Sequence, residues 1–364
     1  MRVLEIAASL RIGGAEKIAR DIGFYLASDS YQIDYVVFGD EVGEYERELI
    51  KRGCNVYHLS QPSSGYINYL KELYRLIKAN GYNVVHAHTM FNSGWAMLIA
   101  KMCGVPTRIS HSHSVDDQPG KSRIQRLYEK VMQFIIISFS THYVGCGIKA
   151  GETLFGKTRY HKKGITILNG IDTKKFAYSE ANREEIRKKL EITDNFVIGH
   201  VGHLAEVKNQ SFLINLMPEI LEKKRNAKLL FLGEGEDRQK LEKQIIDLDL
   251  SGNVIMTGNV TDVHKYLSAM DAFVFPSLYE GMPLSVIEVQ TNGLPCVMSD
   301  NIPEDVVLTD LIRRLSLNEL ADMWVEAICD SQRCIPHEYE EIIKNLGLDS
   351  KKMVDKIADI YCDN

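Results

Sequence analysis

The stretch Ala272-Phe273-Val274-Phe275-Pro276-Ser277-Leu278-Tyr279-Glu280-Gly281-Met282-Pro283-Leu284-Ser285-Val286-Ile287-Glu288 decides how the rest of the chain is read. Its first four residues are uniformly apolar, as expected of a parallel strand covered on both faces. Gly281 permits a tight turn. Apolar residues recur at helical spacing from Met282 to Gln290, so a helix starts close to Pro283, where proline is tolerated. Strand, glycine turn and helix N-terminus make a geometry that attracts anions. A carboxylate at that turn would repel a phosphate, so Glu280 needs a reason. Accepting sugar hydroxyls, while backbone N–H groups take the phosphates, supplies one. Glu288 lies about two helical turns farther on. Taken alone, the pair reads as a solvated helix start and a surface Glu; the rest of the chain changes that reading.

Outward from this stretch the same rhythm repeats. Strand candidates in the first half are Val3 to Ala8, Ile33 to Phe38, Asn55 to Leu59, Val84 to Ala87, Thr107 to Ser110 and Thr141 to Cys146, with helical periodicity in Glu16 to Ser28 and Ile67 to Asn80. The connector Ile165-Thr166-Ile167-Leu168-Asn169-Gly170-Ile171-Asp172 and a charged helical run from Arg183 to Leu190 follow. The rhythm then restarts at Phe196 to Val201, Lys228 to Leu232, Val254 to Thr257, Ala272 to Phe275 and Pro295 to Met298. Alternating βα units predict parallel, doubly wound sheets. Two such series predict two Rossmann-like domains facing a cleft.

Composition bounds the function. The chain has 364 residues, enough for two domains, with 45% hydrophobic and 25% charged residues. Its net charge of −6 gives no global attraction to nucleic acid. The start reads as a first strand and a poor signal peptide. No apolar run reaches membrane-spanning length. Seven scattered cysteines without CxxC spacing point to a reducing cytoplasm, and against a disulfide framework or a zinc site.

The Glu280–Glu288 segment resembles the Glu-x7-Glu signature of the retaining glycosyltransferases of family 4, which have the GT-B fold. The resemblance covers nearly the whole chain. It implies that Glu280 contacts donor-sugar hydroxyls and Glu288 the nucleotide ribose, with Gly281, Met282, Pro283 and Leu284 lining the donor. Domain boundaries follow at 1–168 for an acceptor domain, to which a helix at about 345–364 returns, and 169–344 for a donor domain. The region after Met298 matches the family only loosely.

Further motifs follow in family order. Gly13 and Gly14, after the first strand, let a backbone approach a ligand. The full G-x-G-x-x-G fingerprint is missing, which counts against an NAD site. Asn169-Gly170-Ile171-Asp172 is a structural turn between domains. In His200-Val201-Gly202-His203-Leu204-Ala205-Glu206-Val207-Lys208, Lys208 matches the family's diphosphate-neutralising Lys. His203 stands where the family usually has Arg, and a neutral His cannot form the guanidinium fork. The resemblance implies that Gly233 sits in a turn near the nucleotide and that backbone groups around Asn259 and Val260 read a base edge such as that of uracil; backbone readout has no side-chain signature, so the sequence does not specify the base.

Histidines are paired at His86-Ala87-His88 and His111-Ser112-His113, both at strand C-terminal ends. No third ligand has metal spacing in the sequence. The resemblance assigns a sugar-facing, transition-state-stabilising role to His111 or His113, with His111 favoured. For His86 and His88, packing at the domain edge and a role beside the acceptor are equally good readings. The run Lys121-Ser122-Arg123-Ile124-Gln125-Arg126-Leu127-Tyr128-Glu129-Lys130 reads first as a helix packed on the sheet, and second as a membrane-surface helix.

The expected activity is retaining transfer of a sugar from a nucleotide diphosphate sugar, with uridine favoured, to a saccharide or lipid-linked acceptor. The motifs resemble those of capsular and exopolysaccharide transferases. No metal or other cofactor is expected, since no Asp-x-Asp motif is present, and the location expected is the cytoplasm or the inner membrane face. Two alternatives stay open: a partner subunit that binds nucleotide sugars with little activity, and another GT-B enzyme such as a UDP-sugar epimerase.

Overall fold

A computed structural model describes residues 1–61, 65–114, 122–333 and 338–363. The chain forms two compact units: Met1–Gly170 together with the segment from Ser350 onward, and Ile171–Asp349. The first unit holds β1 (Arg2–Ile6), β2 (Gln32–Phe38), β3 (Asn55–Leu59), β4 (Val84–Ala87), β5 (Thr107–Ser112), β6 (His142–Gly145) and β7 (Gly164–Thr166). They pair in parallel in the order β3-β2-β1-β4-β5-β6-β7. The second unit holds β8 (Phe196–Val201), β9 (Ala227–Leu232), β10 (Val254–Met256), β11 (Ala272–Phe275), β12 (Cys296–Ser299) and β13 (Ile312–Leu315). Their order is β10-β9-β8-β11-β12-β13, again parallel.

Both sheets are doubly wound, and the hydrophobic cores show why. In the second unit the helix Gln210–Lys223, which follows β8, buries Leu213, Ile214 and Met217 on one face. The helix Leu284–Thr291, which follows β11, buries Val286, Ile287 and Val289 on the other. In the first unit the helix Gly14–Leu26 after β1 and the helix Ser93–Met102 after β4 part in the same way. Chain segments leaving two neighbouring strands therefore diverge at β1/β4 and at β8/β11. In open α/β sheets that divergence leaves a crevice at the strands' C-terminal ends.

The last helix, Ser350–Cys362, packs on the first unit, with Met353, Val354, Ile357 and Tyr361 in the core beside Val3, Ile109 and Val144. Ser350 donates to the buried Asp21, which also accepts from Lys17 and Arg20. The Asn169–Asp172 turn straddles the unit boundary, and Asp172 caps the short helix Thr173–Phe176 by accepting from Lys175 N at 3.0 Å.

Two sequence expectations are corrected, and one strand that the sequence did not mark is added. β1 stops at Ile6, not Ala8. β5 continues through Ser112, so His111 lies inside a strand, not after it. The loosely matched region after Met298 contains β13, an edge strand in which Arg313 is exposed on one face and Arg314, on the other, donates to Asp300 O at 2.8 Å and Ile302 O at 2.9 Å. Among the described residues no helix is long and apolar enough to cross a membrane.

Candidate active-site loops and a buried histidine column

In the second unit the crevice position at β8/β11 is occupied by two loops. The loop after β8 carries Lys208, and the loop after β11 carries Glu280. They are joined by Leu278 N donating to Val207 O at 2.8 Å and by Asn209 Nδ2 donating to Pro276 O at 3.2 Å. Asn209 adopts left-handed backbone (φ 55°, ψ 38°), which Asn tolerates, and this turns the chain into the following helix. The Lys208 ammonium pairs with the Glu280 carboxylate and lies 5.3 Å from the centre of the Phe275 ring. Both side chains are largely but not fully covered. A cation and a carboxylate thus meet where α/β sheets hold ligands.

The surrounding backbone is tight. Gly233 has φ +141°, a conformation only glycine takes readily, and a Cβ there would collide with the carbonyl oxygen of Gly202. Gly233 N donates to Gly258 O at 3.0 Å, and Leu204 N to Glu234 O at 2.9 Å. The loops after β8, β9 and β10 are therefore locked together. Beyond Gly258, Asn259 is exposed and Val260 packs on the core. Gly281 is exposed, Met282 and Leu284 border the core, and Pro283 is the uncapped N-cap of the Leu284–Thr291 helix. The first N–H groups of a helix start have no partner within the helix. Glu288 is buried on that helix. His203 is exposed, and its Nε2 lies 2.7 Å from Glu236, so this imidazole faces a carboxylate. Ser277 Oγ, at the base of the Glu280 loop, is buried without a hydrogen-bond partner among the described residues.

In the first unit Gly13 and Gly14 open the helix after β1 with extended, unstrained backbone at Gly13. A Cβ on Gly14 would meet open space, and one on Gly13 only the flexible Glu16 carboxylate, so nothing in the chain's own packing demands glycine at these positions.

His111 and His113 belong to a polar column on the core face of the first sheet. β1 pairs with β4 so that Glu5 stands beside His86, and β4 with β5 so that His86 stands beside Ile109. With side chains alternating, Glu5, His86, His88, His111 and His113 share one face. Tyr361 donates to Glu5 Oε1 at 2.6 Å, so its oxygen accepts from His86 Nδ1 at 2.7 Å. His86 Nε2 is then bare and accepts from His111 Nδ1 at 3.2 Å. On the second branch His88 Nε2 donates to Glu5 Oε2 at 2.7 Å, and its bare Nδ1 accepts from His113 Nε2 at 2.7 Å. One set of neutral tautomers satisfies every link. It leaves His111 Nε2 and His113 Nδ1 as bare nitrogens, and both are buried without a hydrogen-bond partner among the described residues.

Ring nitrogens of His86, His88 and His111 lie within 4.8 Å of one another, so parallel pairing supplies the third ligand that the linear sequence lacks. The 3.2 Å spacing of His86 and His111 suits two ligands of one zinc, which stand about 3.3 Å apart when bound at 2.0–2.1 Å. The 2.7 Å between His88 Nδ1 and His113 Nε2 is a hydrogen-bond distance, and His88 Nε2 is engaged by Glu5, so both His88 nitrogens are already bonded within the column. The column reads as a proton-ordered network anchored on Glu5. Glu5 and Tyr361 had no motif to mark them; a lone carboxylate inside the apolar run Val3-Leu4-Glu5-Ile6-Ala7 was the available signal.

Burial, reinforced by the neighbouring His86 imidazole and only partly opposed by Glu5, lowers the His88 pKa to about 4. Burial and the neighbouring imidazoles push His111 and His113 well below the usual histidine range. For Glu5 burial acts upward, but His86 and His88 outweigh it and hold the carboxyl at about 2. In the second unit burial also lowers His200 to about 4.

Comparison with known proteins agrees with this geometry. Residues 12–175 match the family model described as Glycosyltransferase Family 4, and residues 182–330 match Glycosyl transferases group 1. EpsF of Bacillus subtilis strain 168 is 32% identical over 99% of this chain and 96% of its own length. The Escherichia coli UDP-Gal:alpha-D-GlcNAc-diphosphoundecaprenol alpha-1,3-galactosyltransferase is 26% identical over 81% of this chain and 79% of its own. The crystal structure of Anabaena HepE with UDP and glucose superposes with a TM-score of 0.83 at 18% identity, each chain covered completely. The chain belongs to the family 4 glycosyltransferases, and its fold is GT-B.

Two predictions follow from these sites. His88, His111, His113 and His200 bind fewer protons folded than unfolded, so stability is full above their unfolded pKa, near 6.5, and is lost as pH falls toward the folded values. Each contributes a slope of up to about 1.4 kcal/mol per pH unit in that window. Glu5 adds a further loss between about 4.5 and 2. Urea midpoints should therefore drop steeply from pH 7 to pH 5; a flat profile would show that the column does not stay neutral. Lys208→Ala should weaken nucleoside diphosphate binding at least tenfold, since a charge-assisted phosphate bond contributes about 1.5–3 kcal/mol. Calorimetry reads it, and unchanged affinity removes Lys208 from the phosphate site.

Proposed function

We propose that this family 4 glycosyltransferase moves a hexosyl group from a UDP-sugar to a saccharide or lipid-linked acceptor, with retention of anomeric configuration, in cell-surface polysaccharide synthesis. The observation that carries this reading is the Lys208–Glu280 pair at the β8/β11 crevice, beside an uncapped helix start. In the reaction the bond from sugar C1 to the β-phosphate oxygen breaks, and a bond from C1 to the acceptor oxygen forms on the same face. The acceptor proton passes to an oxygen of the departing diphosphate. Positive charge grows on the sugar ring and negative charge on the leaving group. Lys208 and the first N–H groups of the Leu284–Thr291 helix stabilise the leaving group. Glu280, released from Lys208 as phosphate takes its place, accepts sugar hydroxyls.

Glu288 takes the ribose hydroxyls, and Gly233, Asn259 and Val260 border the base. On this reading His111 or His113 faces the sugar, and its bare nitrogen accepts a hydroxyl. Charge stabilisation by Lys208 and the helix start leaves no step that needs a metal. Relatives support the donor and the acceptor class: the Escherichia coli enzyme's name specifies UDP-Gal and a diphosphoundecaprenol-linked GlcNAc, and CapH of Staphylococcus aureus, 27% identical over 84% of this chain, is a capsular polysaccharide biosynthesis glycosyltransferase. A lipid-linked acceptor places the enzyme at the inner face of the membrane. The imidazole–carboxylate pair at His203 and Glu236 favours a second reading, a partner subunit that binds nucleotide sugar with little turnover.

The test is incubation of the purified chain with UDP-glucose, UDP-galactose and their N-acetylated forms, plus a synthetic diphospholipid-linked GlcNAc. Proton NMR of the product should give the small anomeric coupling of an α-linkage formed from an α-donor. A β-product would contradict retention. Tight UDP binding without transfer from any donor would select the partner-subunit reading.

A further inference from the structure

The helix Arg123–Phe139 in the first unit buries Met132 and Ile136 against its own core. A second apolar stripe on the same helix faces solvent. Ile124, Leu127, Val131 and Phe134 are 81%, 64%, 45% and 70% exposed. Their spacing of three, four and three residues keeps them within an arc of about 80° at 100° per residue. Arg123, Lys130 and Arg126 are also exposed and lie along one border of the stripe, within about the next 80° of arc. The sole acidic residue of the helix, Glu129, projects from the far side of this arrangement.

The charge continues into the neighbouring elements. Gln133 Nε2 donates to Thr153 O and Leu154 O, tying this helix to the helix Ile148–Phe155, whose Ile148 is also exposed. The chain then enters the helix Lys157–Lys163, where Lys157, Arg159, Lys162 and Lys163 line an open cavity of about 560 Å³. Residues 122–163 hold eight Lys and Arg against Glu129 and Glu152, a balance of +6, whereas the whole chain is −6. Positive charge is thus concentrated on the segment that exposes the apolar stripe. A stripe of aliphatic and phenyl groups bordered by cations is the pattern of a helix lying in a lipid headgroup layer, and adjoining basic residues add attraction to anionic lipid. Contiguous exposed apolar surface of this kind marks an interaction site.

We propose that the Arg123–Phe139 helix and the Lys157–Lys163 segment form a docking face for an anionic phospholipid bilayer, the helix lying in the interface plane with Ile124, Leu127, Val131 and Phe134 inserted. The proposal deepens the lipid-linked-acceptor reading and rests on it for its purpose, but it is tested without any transfer reaction. The probe is co-sedimentation with phosphatidylcholine vesicles containing about one third phosphatidylglycerol, against vesicles of phosphatidylcholine alone. Full-length protein should bind the anionic vesicles at least tenfold more tightly, and raising the ionic strength should weaken binding. Leu127→Asp with Phe134→Asp should reduce it at least tenfold, and so, separately, should Arg159→Glu with Lys162→Glu. Circular dichroism and UDP affinity should stay at wild-type values in both.

No vesicle binding by a wild-type chain that binds UDP normally overturns the docking face and leaves the donor reading intact. Vesicle binding without UDP binding does the reverse. Sedimentation of the wild type as a dimer that Leu127→Asp with Phe134→Asp dissociates would assign the stripe to a second copy and overturn the proposal.

Discussion

Everything at the candidate site depends on one topological constraint: in each parallel sheet the strand order reverses once. At β8/β11 the chain leaving one strand must climb to one face and the chain leaving its neighbour to the other, because each following helix buries its apolar side in a different core. Neither can close over the strand ends. Lys208 and Glu280 lie 72 residues apart and meet there because β8 and β11 are neighbours. The ion pair is a consequence of the sheet order, and the loops that carry it are held to each other by backbone bonds independent of the pair.

The first unit uses the same reversal differently. Its strand ends at β1/β4 sit above a buried carboxylate, Glu5, which would be costly without partners. Tyr361 and His88 satisfy it directly, and through them the tautomers of His86, His111 and His113 are set. Tyr361 comes from the last helix, so the polar column and the return of the chain's end to the first unit are one arrangement. A hydroxyl on that helix orders protons on two strands.

Much of this was legible in the sequence. The apolar runs gave eleven strand positions because parallel strands buried on both faces need continuous apolar sequence, as in Ala272 to Phe275. The Glu280–Glu288 segment carried the family. What stayed hidden involved tertiary proximity or a choice of face. Glu5 and Tyr361 are 356 residues apart and share no motif. β13 puts one apolar side chain and one arginine on each face, Ile312 and Leu315 packing on opposite cores, so neither an apolar run nor an alternation marks it. The Arg123–Phe139 helix has apolar residues on two faces, and its periodicity alone does not reveal that Met132 and Ile136 go inward while Leu127 and Phe134 stay outside. His203 was singled out from the sequence; its partner Glu236, on another loop, was not.

The central claim is that the crevice at β8/β11 holds the donor nucleotide. Hydrogen–deuterium exchange of the whole chain, with and without saturating UDP, tests it most directly. The account predicts slowed exchange in residues 202–209, 233–237, 258–261 and 278–288, with the Arg123–Phe139 helix unchanged. Unchanged exchange in the loops carrying Lys208 and Glu280, with UDP demonstrably bound, would contradict it.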